Sequence, residues 1–108
     1  MIYEWRVYDI IPGKRKALND RFANFTLKLF AKHDMKVVGF WENAVGGSTN
    51  TLYYMLAFRD LAHFERVWKE FKEDPEWRQV VAMTEKDGPL VVKESNIALS
   101  PTDYSPMQ

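Results

Sequence analysis

Glu4, Arg6 and Tyr8 stand two residues apart in the segment Tyr3-Glu4-Trp5-Arg6-Val7-Tyr8. Alternate side chains of a strand share a face, so this spacing lines up an acid, a guanidinium and a phenol. Such a cluster does recognisable chemistry: Arg6 grips an anionic or carbonyl oxygen while Glu4 orients it or moves a proton. The same residues also suit a silent role, an ion pair that fixes strand register or the geometry of a subunit interface. Tyr54 and Trp41 belong to neighbouring strands. There the phenol donates to a substrate oxygen and the indole forms a stacking wall, or both simply pack. Hairpin register decides whether Trp41 or Phe40 and Glu42 join the cluster.

Other motifs carry less. The two imidazoles, His33 and His63, lack the carboxylate or His partner at helical spacing that a metal site uses. Cysteine is absent, which excludes disulfides and thiolate chemistry. No metal and no cofactor is expected. Lys14-Arg15-Lys16 follows Pro12-Gly13 at a helix start, where free amides and cations can hold a phosphate, but it reads better as a solvated patch. There is no Gly-rich phosphate loop, nucleophile elbow or dinucleotide fingerprint.

The elements that must position these groups follow from periodicity. Ile2 to Ile11 alternates as a strand and stops at Pro12-Gly13. Leu18, Phe22, Phe25 and Leu29 form one stripe of a helix that ends near His33-Asp34. Val37 to Val45 and Thr51 to Phe58 read as an antiparallel hairpin around Gly46-Gly47. Asp60 caps a helix carrying Leu61, Phe64, Trp68 and Phe71, and Asp74-Pro75-Glu76 starts another. Leu90 to Leu99 is the fourth strand. The order is βαββαβ, which predicts an α+β, ferredoxin-like split βαβ fold with a four-stranded antiparallel sheet and both helices on one face. Trp5 and Val7 are expected to face the helices. Glu4, Arg6 and Tyr8 would then line the open face, with Leu56 in the interface that covers it.

Composition bounds the partners. The 108 residues suit one domain, residues 1–100, with a tail at 101–108. Fifteen Lys+Arg balance fifteen Asp+Glu, which argues against a nucleic-acid binder. No apolar run approaches the ~20 residues of a membrane span, and the N-terminal stretch lacks a secretory apolar region, so a cytoplasmic protein is expected. Aromatics reach 15% of the chain, too many for one small two-layer core. A second copy closing over the open face accommodates them.

Tyr3-Glu4-Trp5-Arg6-Val7-Tyr8, Pro12-Gly13-Lys14, Val38-Gly39-Phe40-Trp41, Gly47, Asn50 and Asp74-Pro75-Glu76-Trp77 occur in that order along the chain. As a set they resemble the NIPSNAP family of the dimeric α/β-barrel superfamily. The resemblance implies ferredoxin-like halves that dimerise into an α/β barrel, and it implies no particular reaction. The family commonly carries His and Trp where this chain has Tyr54 and Leu56, so a mechanism resting on that His does not transfer. The expected function is a small homodimer that binds an apolar or aromatic small molecule, either between sheet and helices or between two sheets. The alternatives are a non-catalytic protein-interaction module and, by superfamily analogy, a cofactor-free monooxygenase or isomerase.

Overall fold

A computed structural model describes all 108 residues. Strand β1 (Ile2–Ile10) leads into a helical rod made of α1 (Arg15–Arg21), a π-helical turn (Phe22–Thr26) and α2 (Leu27–Lys32). The hairpin β2 (Lys36–Glu42) and β3 (Thr51–Phe58) follows, then α3 (Leu61–Glu73), α4 (Pro75–Thr84) and β4 (Val91–Leu99). The strands form one antiparallel sheet in the order β2-β3-β1-β4. The chain therefore has the expected α+β, ferredoxin-like architecture. No helix is long and apolar enough to cross a membrane.

The caps are built as their residue types dictate. The Asp60 side chain accepts from the His63 amide at 2.8 Å, and Asp74 accepts from the Glu76 amide at 2.9 Å with Pro75 in the first helical turn. The first rod closes with paired reverse bonds, Met35 N–H to the Phe30 carbonyl at 2.9 Å and Asp34 N–H to Ala31 at 3.2 Å. Asp34 holds the left-handed position there, at φ 59°, where Gly is usual. Its carboxylate accepts from Arg59 at 2.8 Å and meets His63 Nε2 at 3.1 Å, tying the rod to the start of α3.

The π turn changes which side chains the rod buries. A regular helix would present Phe25 to the core. The wider turn instead buries Arg21 and Thr26 on either side of Phe22, and leaves Phe25 half-buried. The Thr26 hydroxyl donates to the Arg21 carbonyl at 3.3 Å within the turn.

Sheet register settles the faces, and one expectation is reversed. Glu4, Tyr8 and Ile10 of β1 lie under the helices with Leu52, Tyr54, Leu56 and Phe58 of β3, all nearly inaccessible. Trp5 and Val7 occupy the open face instead. There Trp5 packs on Tyr53 and Trp41, each with ring centroids 5.7 Å away. Period-two alternation separates two sets of side chains but does not say which is inside. Trp5 and Val7 looked like the core set. Glu4 is inside because donors wait for it there. Leu56 is likewise a core residue under the helices, 0% exposed, and belongs to no open face.

Aromatic rings fill the space between the layers. Phe22 and Phe40 pack against Tyr54 at 5.3 and 4.7 Å, and Phe30 meets Trp68 and Phe71 at 6.0 and 5.3 Å.

Asp74 fastens the helical layer together. Hydrogen bonds from Lys32 at 2.8 Å, His33 at 2.7 Å and the Glu76 amide hold its carboxyl well below the usual carboxylate range. A carboxyl whose value falls on folding stabilises above its unfolded value, ~4, and loses that contribution as pH drops towards the folded value. Asp74→Asn, which keeps a capping side chain but no charge, should lower the urea midpoint near pH 7. The gap to wild type should narrow near pH 3. A pH-independent gap would contradict this role.

Candidate functional site

The four polar groups of β1 and β3 meet beneath α3. Glu4 is 0% exposed and surrounded by donors. Trp68 Nε1 of α3 donates to its Oε1 at 2.7 Å, while Arg6 Nη1 and Asn96 Nδ2 of β4 donate to Oε2 at 3.0 and 2.8 Å. A carboxylate only accepts, and every neighbour here donates. Both Glu4 oxygens accept, and with the side chain fully buried neither faces open space. It positions Arg6 rather than reacting.

Arg6 spreads its donors across the site. Nε donates to Tyr54 Oη at 2.6 Å, and Nη2 reaches Tyr8 Oη and the half-exposed Glu94 carboxylate, both at 3.3 Å. The guanidinium carbon lies 4.6 Å from the centre of the Trp68 ring, a cation–π contact. Burial disfavours its charge, but the oxygens of Tyr54, Tyr8 and Glu4 more than offset this and raise the group above its ordinary value. Burial, with Tyr8 beside it, pushes the Tyr54 phenol well up against the pull of Arg6. At neutral pH Tyr54 is therefore a proton donor and not a phenolate base.

Counting protons identifies an unused donor. The two phenol oxygens lie 3.0 Å apart, and each already accepts from Arg6. One phenolic proton bridges the pair. The other has no acceptor in the protein.

These groups border a cavity of about 130 Å³ between the sheet and the helices. Arg6, Tyr8 and Tyr54 form its floor, and Phe22, Phe30 and Trp77 are among the rings of its walls. Arg21 and Thr26, both turned inward by the π turn, also line it. π turns recur at functional sites.

Of the candidates read from sequence, Glu4, Arg6, Tyr8 and Tyr54 are brought together. Trp41 is not. It points away from the cavity on the open face, 46% exposed, while Phe40 stacks on Tyr54 in its place. Sequence reasoning did not single out Arg21, or Trp68 and Asn96 as partners of Glu4. Trp68 was legible only as part of an apolar stripe, and Asn96 gave no signal at all. The imidazoles lie elsewhere: His33 bonds Asp74, and His63 Nδ1 accepts from the Arg59 amide at 3.0 Å. No three His, Cys, Asp or Glu side chains are grouped to hold a metal. Of the basic run, Lys16 pairs with Asp20 at 2.7 Å and Arg15 with Glu42 at 3.6 Å, both at the surface.

Comparison with known proteins agrees with this architecture. The chain is similar to Protein NipSnap homolog 3B of Mus musculus, at 30% identity over 77 residues, 71% of this chain and 30% of that protein. It thus spans about a third of the length of the curated relatives it matches. A NIPSNAP family protein with unknown function from Agrobacterium tumefaciens superposes with a TM-score of 0.86 at 22% identity, covering 100% of this chain and 94% of that one. A putative antibiotic biosynthesis monooxygenase from Nitrosomonas europaea shares the fold more distantly, with a TM-score of 0.63 at 9% identity over 94% of this chain and 98% of that one. The NIPSNAP family model matches residues 3–106. The chain belongs to the NIPSNAP family.

Proposed function

We propose that this NIPSNAP protein works as a homodimer whose protomers each bind a small molecule with an oxygen acceptor in the cavity between sheet and helices. The unused phenolic proton of the Tyr8–Tyr54 pair carries this reading. A buried donor without an acceptor is costly, and a carbonyl, carboxylate or hydroxyl oxygen of a ligand would satisfy it. The aromatic walls suit an apolar or aromatic body. At about 130 Å³, the space is comparable to a void that admits benzene, about 150 Å³. A protonated phenol held by a guanidinium can also stabilise negative charge developing on a substrate oxygen, the arrangement an isomerase or cofactor-free oxygenase would need.

Isosteric probes test the reading. Benzoate and benzamide present an acceptor oxygen, whereas benzamidine presents only donors. The first two should quench or shift the fluorescence of Trp68 and Trp77, and benzamidine should not. Tyr8→Phe and Tyr54→Phe each leave one free hydroxyl, so the double variant is the decisive one. It should lose binding of both probes while keeping a cooperative melt. Equal binding by the double variant, or by benzamidine, would contradict the proposal.

The homodimer rests on the open face of the sheet. Trp41 is 46% exposed and Ile97 58%, with Leu99, Trp5 and Tyr53 beside them. An added Cβ at Gly39 would meet the Trp41 ring at 2.8 Å, so glycine gives this indole its place against the sheet. Exposed apolar side chains gathered on one face of a sheet suit an interface, and an identical sheet can cover them. Sedimentation should give a dimer for wild type. Trp41→Glu combined with Ile97→Glu should give a folded monomer, because charges would be stranded in the contact. A wild-type monomer at micromolar concentration would overturn this part.

A further inference from the structure

We propose that the cavity ligand is a carboxylate, and that Arg21 is its anchor. This rests on the cavity being the binding site and goes further by naming the ligand's charge and the residue that reads it.

Arg21 is 94% buried by its residual exposure of 6%, at the junction of α1 and the π turn. Its Nη1 donates to Glu85 at 3.0 Å and to the Thr84 hydroxyl at 3.4 Å, and its guanidinium lies over the Trp77 ring at 5.4 Å. Those contacts account for one edge of the group. Nε is buried and has no partner, the one side-chain nitrogen or oxygen in the molecule so placed. Orphaned buried donors are rare in native proteins, and a missing ligand is a standard reason for one. Arg21 lines the same small cavity as the unused phenolic proton, from the helical wall opposite the sheet. A space of about 130 Å³ holds one small headgroup between Arg21 on one side and the phenols on the other.

Charge selects the headgroup. Arg6, Arg21 and Lys72 line the cavity against a single acid, Glu94. Glu94 is half-exposed and Lys72 sits over the Trp68 ring at 5.8 Å. The buried groups left unpaired there, Arg21 Nε–H and one phenolic proton, are both donors. A carboxylate supplies acceptors in two directions with one negative charge, and its planar oxygens match guanidinium geometry. Glu4 and Glu85, each 3.0 Å from its arginine, offset part of the charge of Arg6 and Arg21 but do not line the cavity.

Titration of benzoate and benzamide, which differ in charge but hardly in shape, separates this inference from the reading beneath it. Benzoate should bind wild type at least tenfold more tightly than benzamide. Arg21→Lys keeps a cation for Glu85 but has no Nε–H, and Arg21→Gln removes the charge. Both should weaken benzoate roughly ten- to hundredfold, the range for a charge-assisted hydrogen bond, and leave benzamide within about threefold. Thermal melts and benzamide binding verify that the variants are folded. Equal wild-type affinity for the two probes, or benzoate binding untouched by Arg21→Lys, would overturn the carboxylate assignment while leaving the cavity reading intact. No binding of either probe to wild type would sink both. Inorganic phosphate binding more tightly than benzoate would also reject the assignment.

Discussion

Glu4, a carboxylate taken entirely out of water, is the constraint around which the site is arranged. An unpaired charge in that position would cost several kcal/mol even after relaxation. The fold meets the cost with donors from three directions: Arg6 along the same strand, Asn96 from β4 and Trp68 from α3. Each donor is thereby oriented. Trp68 is drawn down onto the sheet and becomes the surface on which Arg6 lies. Arg6, held at one edge by Glu4, presents its other nitrogens to Tyr54 and Tyr8. The polar floor of the cavity is a consequence of burying one acid.

The helical wall has a different origin. A regular α-helix repeats at 3.6 residues per turn and would keep Arg21 at the margin. The π turn at Phe22–Thr26 widens the rod, so that Arg21 and Phe22 both face inward. Aromatic packing below then leaves a small void instead of closing on it, because Tyr54 is already fixed between Arg6 and Phe40. Two independent devices, a buried acid and a widened helical turn, therefore shape the lining of the same space. That space is the cavity proposed as the ligand site.

Much of this fold could be read from residues alone. Alternation in β1 and β3, the caps at Asp60 and Asp74, and the spacing of Trp68 and Phe71 each have a local physical cause, and local causes are visible in sequence. The polar cluster of Glu4, Arg6 and Tyr8 was legible too, because strand spacing places them on one face whichever face that is. What stayed hidden was the face itself. Tyr3, Trp5 and Val7 form the more apolar set and so resembled the core. The partners that make the other set buriable lie 64 and 92 residues away in sequence, at Trp68 and Asn96. Arg21 was hidden for a related reason, since a π turn leaves no mark in a 3.6-residue pattern. Hairpin register, which the sequence left open, separates Trp41 from the polar cluster. Its own position depends on the same parity, and it went to the open face with Trp5.

The most direct measurement is a double-mutant cycle on Glu4 and Arg6, read as unfolding free energy. If the pair is buried under the helices, Arg6→Met alone strands Glu4 and should cost about 3–5 kcal/mol. Adding Glu4→Gln should recover a substantial part of that loss, giving strong coupling. Small, additive effects, of the ~0–1 kcal/mol typical of an exposed pair, would place these side chains on the solvent face and contradict the account.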